Sequence, residues 1–195
     1  MIDSLITSQT RIKLLLKFFL NSKTQSHLRG LESEFGESTN GIRIELNRLE
    51  NANLLRSHKE GNKKLYSANR SHPLFDDIHN IIIKQTGIDR VVENVVDRIG
   101  NLKGVYLVGD LARGINSHII DLVLIGDNID KEYLDRKVKQ CETLVGRRII
   151  YHLFSVLEAN AYLMDIKPSD LLLLWNKEGN NLLANDKPNN TEVSL

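Results

Sequence analysis

The chain reads as an α+β multidomain protein, with a helical N-terminal third that ends in a hairpin and an α/β remainder. Three observations predict this. Apolar residues recur at helical spacing from Ile12, and the run closes on two short extended segments around Gly61-Asn62. From Val105 onward, short apolar runs alternate with helical patterns, as in an α/β layer. Charge divides near the same place. Residues 1–72 carry twelve Lys and Arg against seven Asp and Glu, net +5, and the other 123 carry fourteen against eighteen, net −4, giving the +1 of the whole chain. A basic segment joined to an acidic remainder suggests that a polyanion meets the first part alone.

Composition removes several classes of function. At 195 residues, one domain or two small ones could each bury a core. Apolar content of 41% and charged content of 26% are ordinary for a globular chain and exclude wholesale disorder. No apolar run approaches the ~18 residues that read as a membrane span. The run Ile12 to Leu20 is short and carries Lys13 and Lys17, and no cleavage site follows it. The single cysteine, Cys141, excludes an internal disulfide and a multi-thiolate metal site. A cytoplasmic protein without membrane partner, metal or cofactor is expected.

The first helix has Leu15, Leu16, Phe19 and Leu20 on one stripe and Ser8 or Thr10 as its cap. A short second helix is predicted from Ser26 to Phe35, ended by Gly36. The third starts after Ser38 and runs to about Asn51. Ile42, Leu46 and Leu49 share one face, leaving Thr39, Asn40, Arg43, Asn47 and Arg48 near the other. Gly61-Asn62 then joins two extended runs into a hairpin whose basic tip offers Arg56, Lys59, Asn62, Lys63 and Lys64.

Helix, short helix, helix and basic hairpin follow the order of a winged helix-turn-helix. Its third helix would enter the major groove of duplex DNA, and its wing lysines would neutralise phosphates. The segments Leu49-Glu50-Asn51-Ala52-Asn53-Leu54-Leu55 and Glu60 to Asn69, followed by His72-Pro73-Leu74-Phe75, resemble winged helices of the arsenic-responsive-repressor type. That resemblance covers about residues 8–87 and implies a dimeric transcription regulator of bacterial or archaeal kind. The metal-sensing cysteine pair of that group is absent, so metal sensing does not carry over. Read alone, Arg43 and Arg48 could equally be solvated helix charges paired with Glu45 or Glu50.

In the connector, Pro73 sits at a first helical position with Asp76 and Asp77 behind it. Ile78, Ile81, Ile82 and Ile83, then Val91, Val92, Val95, Val96 and Ile99, make two strongly apolar faces that need a partner. A second copy of the chain fits them, and so does the remainder of the same chain; a homodimer is the expectation.

Beyond it, Val105 to Val108, Ile119 to Ile125 and Arg148 to Phe154 read as strands. Asp130 to Leu144 reads as a helix with Tyr133, Leu134, Val138 and Cys141 inward. Ser155 caps another helix, residues 168–178 are predicted helical, and Leu182-Leu183 adds an extended piece before a mobile tail. The expected units are a winged helix over 1–72, connector helices over 73–100, an α/β domain over 101–185 and the tail over 186–195.

The stretch Val108-Gly109-Asp110-Leu111-Ala112-Arg113-Gly114, with Asp121-Leu122-Val123 on the next strand, resembles the minimal nucleotidyltransferases, especially bacterial ones fused to a winged helix. The match spans about Val105 to Phe154. In that family Gly-Ser on the turn holds triphosphate and Asp-x-Asp on the next strand holds metal. Here Asp110 stands in place of the Ser and Ile119 in place of the first Asp, while Asp121 matches the second, and Arg148 to His152 carries no acid. Two like unit charges ~4 Å apart cost on the order of 4 kcal/mol near a protein surface, so Asp110 opposes phosphate. His118 and His152 have no Ser or Cys nucleophile at an informative spacing, and no Walker loop is present.

The resemblance thus implies a vestigial site of Gly109, Asp110, Arg113, Gly114 and Asp121, with no catalytic residue. The expectation is a regulator of transcription that binds double-stranded DNA and is not an enzyme. Its second domain would serve dimerisation, sensing of a small-molecule or protein effector, or docking. The alternative is an active nucleotidyltransferase that modifies a protein or RNA.

Overall fold

The structure is a computed structural model that describes residues 4–96 and 99–178. Helix α1 (Gln9–Phe19) starts where Ser8 Oγ accepts from the Arg11 amide. Thr10, the other candidate cap, instead donates to Glu37. After a two-residue strand β1 (Ser26–His27) come α2 (Leu28–Phe35) and α3 (Thr39–Asn51). Here the expected helix from Ser26 is corrected. Ser26 and His27 pair with Tyr66 and Leu65 of a later strand, and the His27 ring caps the shortened α2 by accepting from the Gly30 amide. Gly36 ends α2 in the left-handed region at φ 64°, and Ser38 caps α3.

Strands β2 (Leu55–Glu60) and β3 (Lys63–Ala68) form an antiparallel hairpin around Gly61, whose φ of 56° favours glycine. With β1 they make a three-stranded sheet in the order β1-β3-β2. Helices α4 (Phe75–Thr86) and α5 (Ile88–Val96) follow. Leu74, not Pro73, stands at the N-cap of α4, so Pro73 lies outside the helix.

The second sheet is mixed: β4 (Asn101–Val108), β5 (Ile119–Asp127), β6 (Arg148–Phe154) and β7 (Leu172–Asn176), in the order β6-β5-β4-β7. Only β5 and β6 are parallel, joined through α7 (Lys131–Val145), which Asp130 caps. A four-residue turn of helix, α6 (Gly109–Ala112), links β4 to β5. Helix α8 (Val156–Asp165) begins at a reciprocal capping box between Ser155 and Glu158.

Residues 168–178 are not helical. Pro168–Asp170 makes a single 3-10 turn, and the apolar run after it becomes β7, antiparallel to β4. A short continuous apolar run is ambiguous between helix and buried strand, and here the open edge of β4 decides. The expected extended pair Leu182-Leu183 and the tail lie outside the described residues.

One continuous apolar core runs from Leu14, Phe18 and Phe19 of α1 through Ile42 and Leu46 of α3, Ile82 and Ile83 of α4 and Val91 and Val95 of α5 to β4, β5 and α7. Helix α1 packs on α3 and α4, and α5 packs on α7. The apolar faces that argued for a homodimer are therefore used within the chain. Ile82, Ile83, Ile88, Val91, Val92, Val95 and Ile99 are buried, while Ile81 remains half exposed. A smaller cluster of Val108, Val123, Ile125 and Ala159 fills the opposite face of the second sheet under α8.

Candidate functional site

Two places carry the sequence candidates. The first is the outer face of α3 and the β2–β3 hairpin. Ile42, Glu45, Leu46 and Leu49 are buried on one side, while Asn40, Arg43, Ile44, Asn47 and Arg48 are exposed on the other. Arg43 and Asn47 make no hydrogen bond or ion pair among the described residues. Arg48 is committed inward: its Nη1 lies 2.9 Å from Glu45 Oε1, and Arg11 Nε grips the other oxygen at 2.8 Å. Burial pushes the Glu45 carboxyl upward, but hydrogen bonds from Arg11 and Ser8 outweigh it and hold the group below its ordinary range. Thr39 donates to Glu32 across the α2–α3 corner, so it serves the turn as well as the surface.

On the hairpin, Arg56, Lys59, Asn62 and Lys63 are exposed, and the register sets Lys59 opposite Lys64 and Glu60 opposite Lys63. Lys64 is anchored. Its Nζ lies 2.8 Å from Glu50 Oε2 and 5.0 Å from the centre of the Tyr66 ring, and the Glu50 hydrogen bond raises its pKa. A groove of about 620 Å³ separates the hairpin tip from α2, with Gln25, His27 and Glu34 on one wall and Asn62 and Lys63 on the other. Ile44, 45% exposed beside Asn40 and Asn47, belongs to the same face. The signal for it was an apolar residue breaking the polar stripe of α3.

The second place is the turn after β4. Gly109 adopts φ 70°, and a Cβ there would sit 3.4 Å from Asp121 Oδ2, so the turn closes over that carboxylate. Val108 pairs with Asp121 across the β4–β5 ladder. Val108 occupies the N-cap of α6 without a side-chain bond, and Asp110 pairs with Arg113 at 2.5 Å. That pair is about half exposed and adds little stability.

Gly114 has a structural reason. At φ 73°, a Cβ would stand 2.5 Å from the Lys17 Cα, so the turn rests directly on α1. Two residues of α1 and its end complete this clamp, and neither was a sequence candidate. Buried Lys17 donates to the Arg113 carbonyl at 2.8 Å and pairs with Glu34 at 2.7 Å. Asn21 Nδ2 donates to the carbonyls of Ala112 and Ser169. The signal was a lysine and an asparagine within the apolar run Leu14 to Leu20 and its end.

His152 of β6 also reaches the site, its Nε2 3.3 Å from Asp121 Oδ1. Lys103, Arg113, Arg147 and Arg148 do not gather into one anion-binding cleft. Lys103 lies toward the far end of β4 from the turn, and Arg147 is spent on the Ser117 carbonyl and Asn116. A magnesium cage built on carboxylates does not fit these residues. Ile119 is apolar, Asp110 is held by Arg113, and among the described residues no three His, Cys, Asp or Glu come together to hold a metal. Among the described residues, no helix is long and apolar enough to cross a membrane.

No protein-family model matches this chain, and no curated protein does. Among solved structures, one titled "Crystal structure of a putative nucleotidyltransferase from Sulfolobus solfataricus" is similar to 53% of this chain and 90% of its own, at 21% identity and a TM-score of 0.36. That likeness is partial; the described residues themselves form a mixed α/β chain with two sheets. This finding runs against the expectation that the chain is not an enzyme, and that expectation is withdrawn.

Proposed function

We propose that the chain is a DNA-binding regulator whose winged helix-turn-helix, α1 to β3, is joined to a nucleotidyltransferase-type domain. In this reading α3 is the recognition helix and β2–β3 the wing. The division near residue 72 is then one of function, since the core is shared. The observation that carries the reading is the clean split of α3. One face is buried, and the other presents Arg43 and Asn47 without partners among the described residues, beside an exposed basic hairpin. A helix of 13 residues is ~20 Å long and of a diameter the major groove admits. The test is duplex DNA affinity across a salt series. Affinity should fall steeply with salt, and a flat response would remove DNA from the reading.

A second reading is favoured by the turn seated on Asp121: nucleotidyl transfer to a protein or RNA acceptor, with the winged helix as an attached module. Labelled nucleoside triphosphates offered with each acceptor test it. Transfer that disappears in Asp121→Asn supports it, and transfer that survives places the chemistry elsewhere.

A further inference from the structure

We infer that Ile44 is a specificity-determining residue of α3, one that reads the C5-methyl group of a single thymine in the major groove. This role rests on the DNA-binding reading above and names a base which that surface selects. A lone exposed isoleucine is ordinary on a protein surface. Ile44 is set apart by its place. Successive helix residues turn by ~100°, so Asn40, Arg43, Ile44 and Asn47 share one outward sector about 100° wide, opposite the buried Ile42, Leu46 and Leu49. Its neighbours one turn away, Asn40, Asn47 and Arg48, are exposed as well. They leave Ile44 45% exposed, and the longest of them, Arg48, is drawn aside to Glu45 at 2.9 Å.

The chemistry of the groove selects the partner. In the major groove the base edges offer hydrogen-bond donors and acceptors, and the apolar group among them is the thymine methyl. An apolar side chain gains by burial against that methyl. Set against any other edge, it takes a donor or acceptor out of water without pairing it. Arg43 and Asn47 suit the polar edges of guanine and adenine, which leaves the methyl to Ile44.

The side chain is also presented rigidly. Branching at Cβ leaves an isoleucine in a helix one strongly preferred χ1 rotamer. The helix beneath it is fixed, since Arg11 and Arg48 grip Glu45 and α3 packs on α1 and α2.

The experiment selects duplexes bound by the full chain from a random-sequence pool, then replaces each thymine of the selected site by uracil, one at a time. Uracil lacks only the methyl and keeps every hydrogen-bonding group. At one position per bound α3, the replacement should weaken binding about fourfold, the worth of one buried carbon group. At that position 5-methylcytosine should bind more tightly than cytosine. Ile44→Ala should bind the thymine and uracil duplexes alike, and Ile44→Val should keep the preference. Circular dichroism should be unchanged in both, because Ile44 lies outside the core. The uracil scan uses the native chain and stands even where a variant fails to fold. Selection without a shared sequence, a site with no uracil-sensitive thymine, or a uracil effect undiminished in folded Ile44→Ala would each overturn the role of Ile44. In those cases salt-dependent duplex binding leaves the DNA-binding reading standing. Absence of such binding sinks that reading and this role together.

Discussion

The outer face of α3 and the turn between β4 and β5 use polar residues in opposite ways. On α3 the backbone is rigid because its other face is buried, and the side chains are left outward: Arg43 and Asn47 project from a helix anchored by Ile42, Leu46 and Leu49. At the turn the backbone is short and irregular, and polar side chains are spent on holding it. Lys17 and Asn21 bind the carbonyls of Arg113 and Ala112, and Gly114 rests on the backbone of Lys17. Substitutions on α3 should therefore alter binding and spare stability. Substitutions around the turn should alter stability first.

The largest expected effect breaks both regions at once. Phe19 is wholly buried in the shared core, and Phe19→Ala should cost about 3–5 kcal/mol. The only tryptophan, Trp175, lies in β7, so its fluorescence follows the second sheet while far-ultraviolet dichroism follows the helices. Both signals should shift together. Two separate transitions would show that the halves are less coupled than the continuous core implies.

Next comes the clamp. Lys17→Met leaves Glu34 buried beside an apolar group and should destabilise on the order of 3 kcal/mol, since one partner of a largely buried pair is removed. Gly114→Ala, strained at φ 73° and crowding α1, should cost about 1–3 kcal/mol. Denaturant midpoints measure both. A neutral Lys17→Met would mean that the turn holds itself.

On the other side of the comparison, Arg43→Ala should leave the melting temperature unchanged and cost ~1–3 kcal/mol of binding at a preferred DNA site. Lys63→Ala should weaken all duplexes alike and flatten the salt slope by ~0.9. Lys64→Ala should do more than either to the wing itself, because Lys64 holds Glu50. If Arg43→Ala weakens random and preferred DNA equally, it is a phosphate contact.

The smallest effect is on pH. The folded chain holds the Glu45 carboxyl below its ordinary range, so its contribution to stability is present above that range and lost as pH falls through the depressed value. Glu45→Gln should therefore flatten the acid limb of the stability curve and change little at neutral pH apart from the lost ion pairs. An unchanged acid limb would assign the acid sensitivity to other carboxylates.

Much of the fold could be read from neighbours along the chain, because caps, turns and amphipathic faces are decided within a few residues. Ser8, Ser38 and Ser155 cap the helices they precede, Gly36 and Gly61 take left-handed turns, and the buried stripe of α3 follows its spacing. The outward position of Arg43 and Asn47 follows from that stripe. Gly109 and Asp121 were grouped by the resemblance to nucleotidyltransferases alone, and it is the β4–β5 ladder that sets the turn against the carboxylate.

What depended on distant partners was decided only in three dimensions. The run Leu172–Asn176 became a strand because β4 had an open edge, and Ser26-His27 joined a sheet because β3 lay beside them. The apolar faces of α4 and α5 turned inward because α1 and α7 were there to cover them. Lys17 and Asn21 find their partners only in the turn, some 90 residues later, whose carbonyls they bind. His152 looked like an isolated histidine until the parallel pairing of β5 and β6 set it beside Asp121. Local chain chemistry determines which elements form and which way they face; the satisfaction of each buried polar group depends on what packs against it, and no spacing along the chain encodes that.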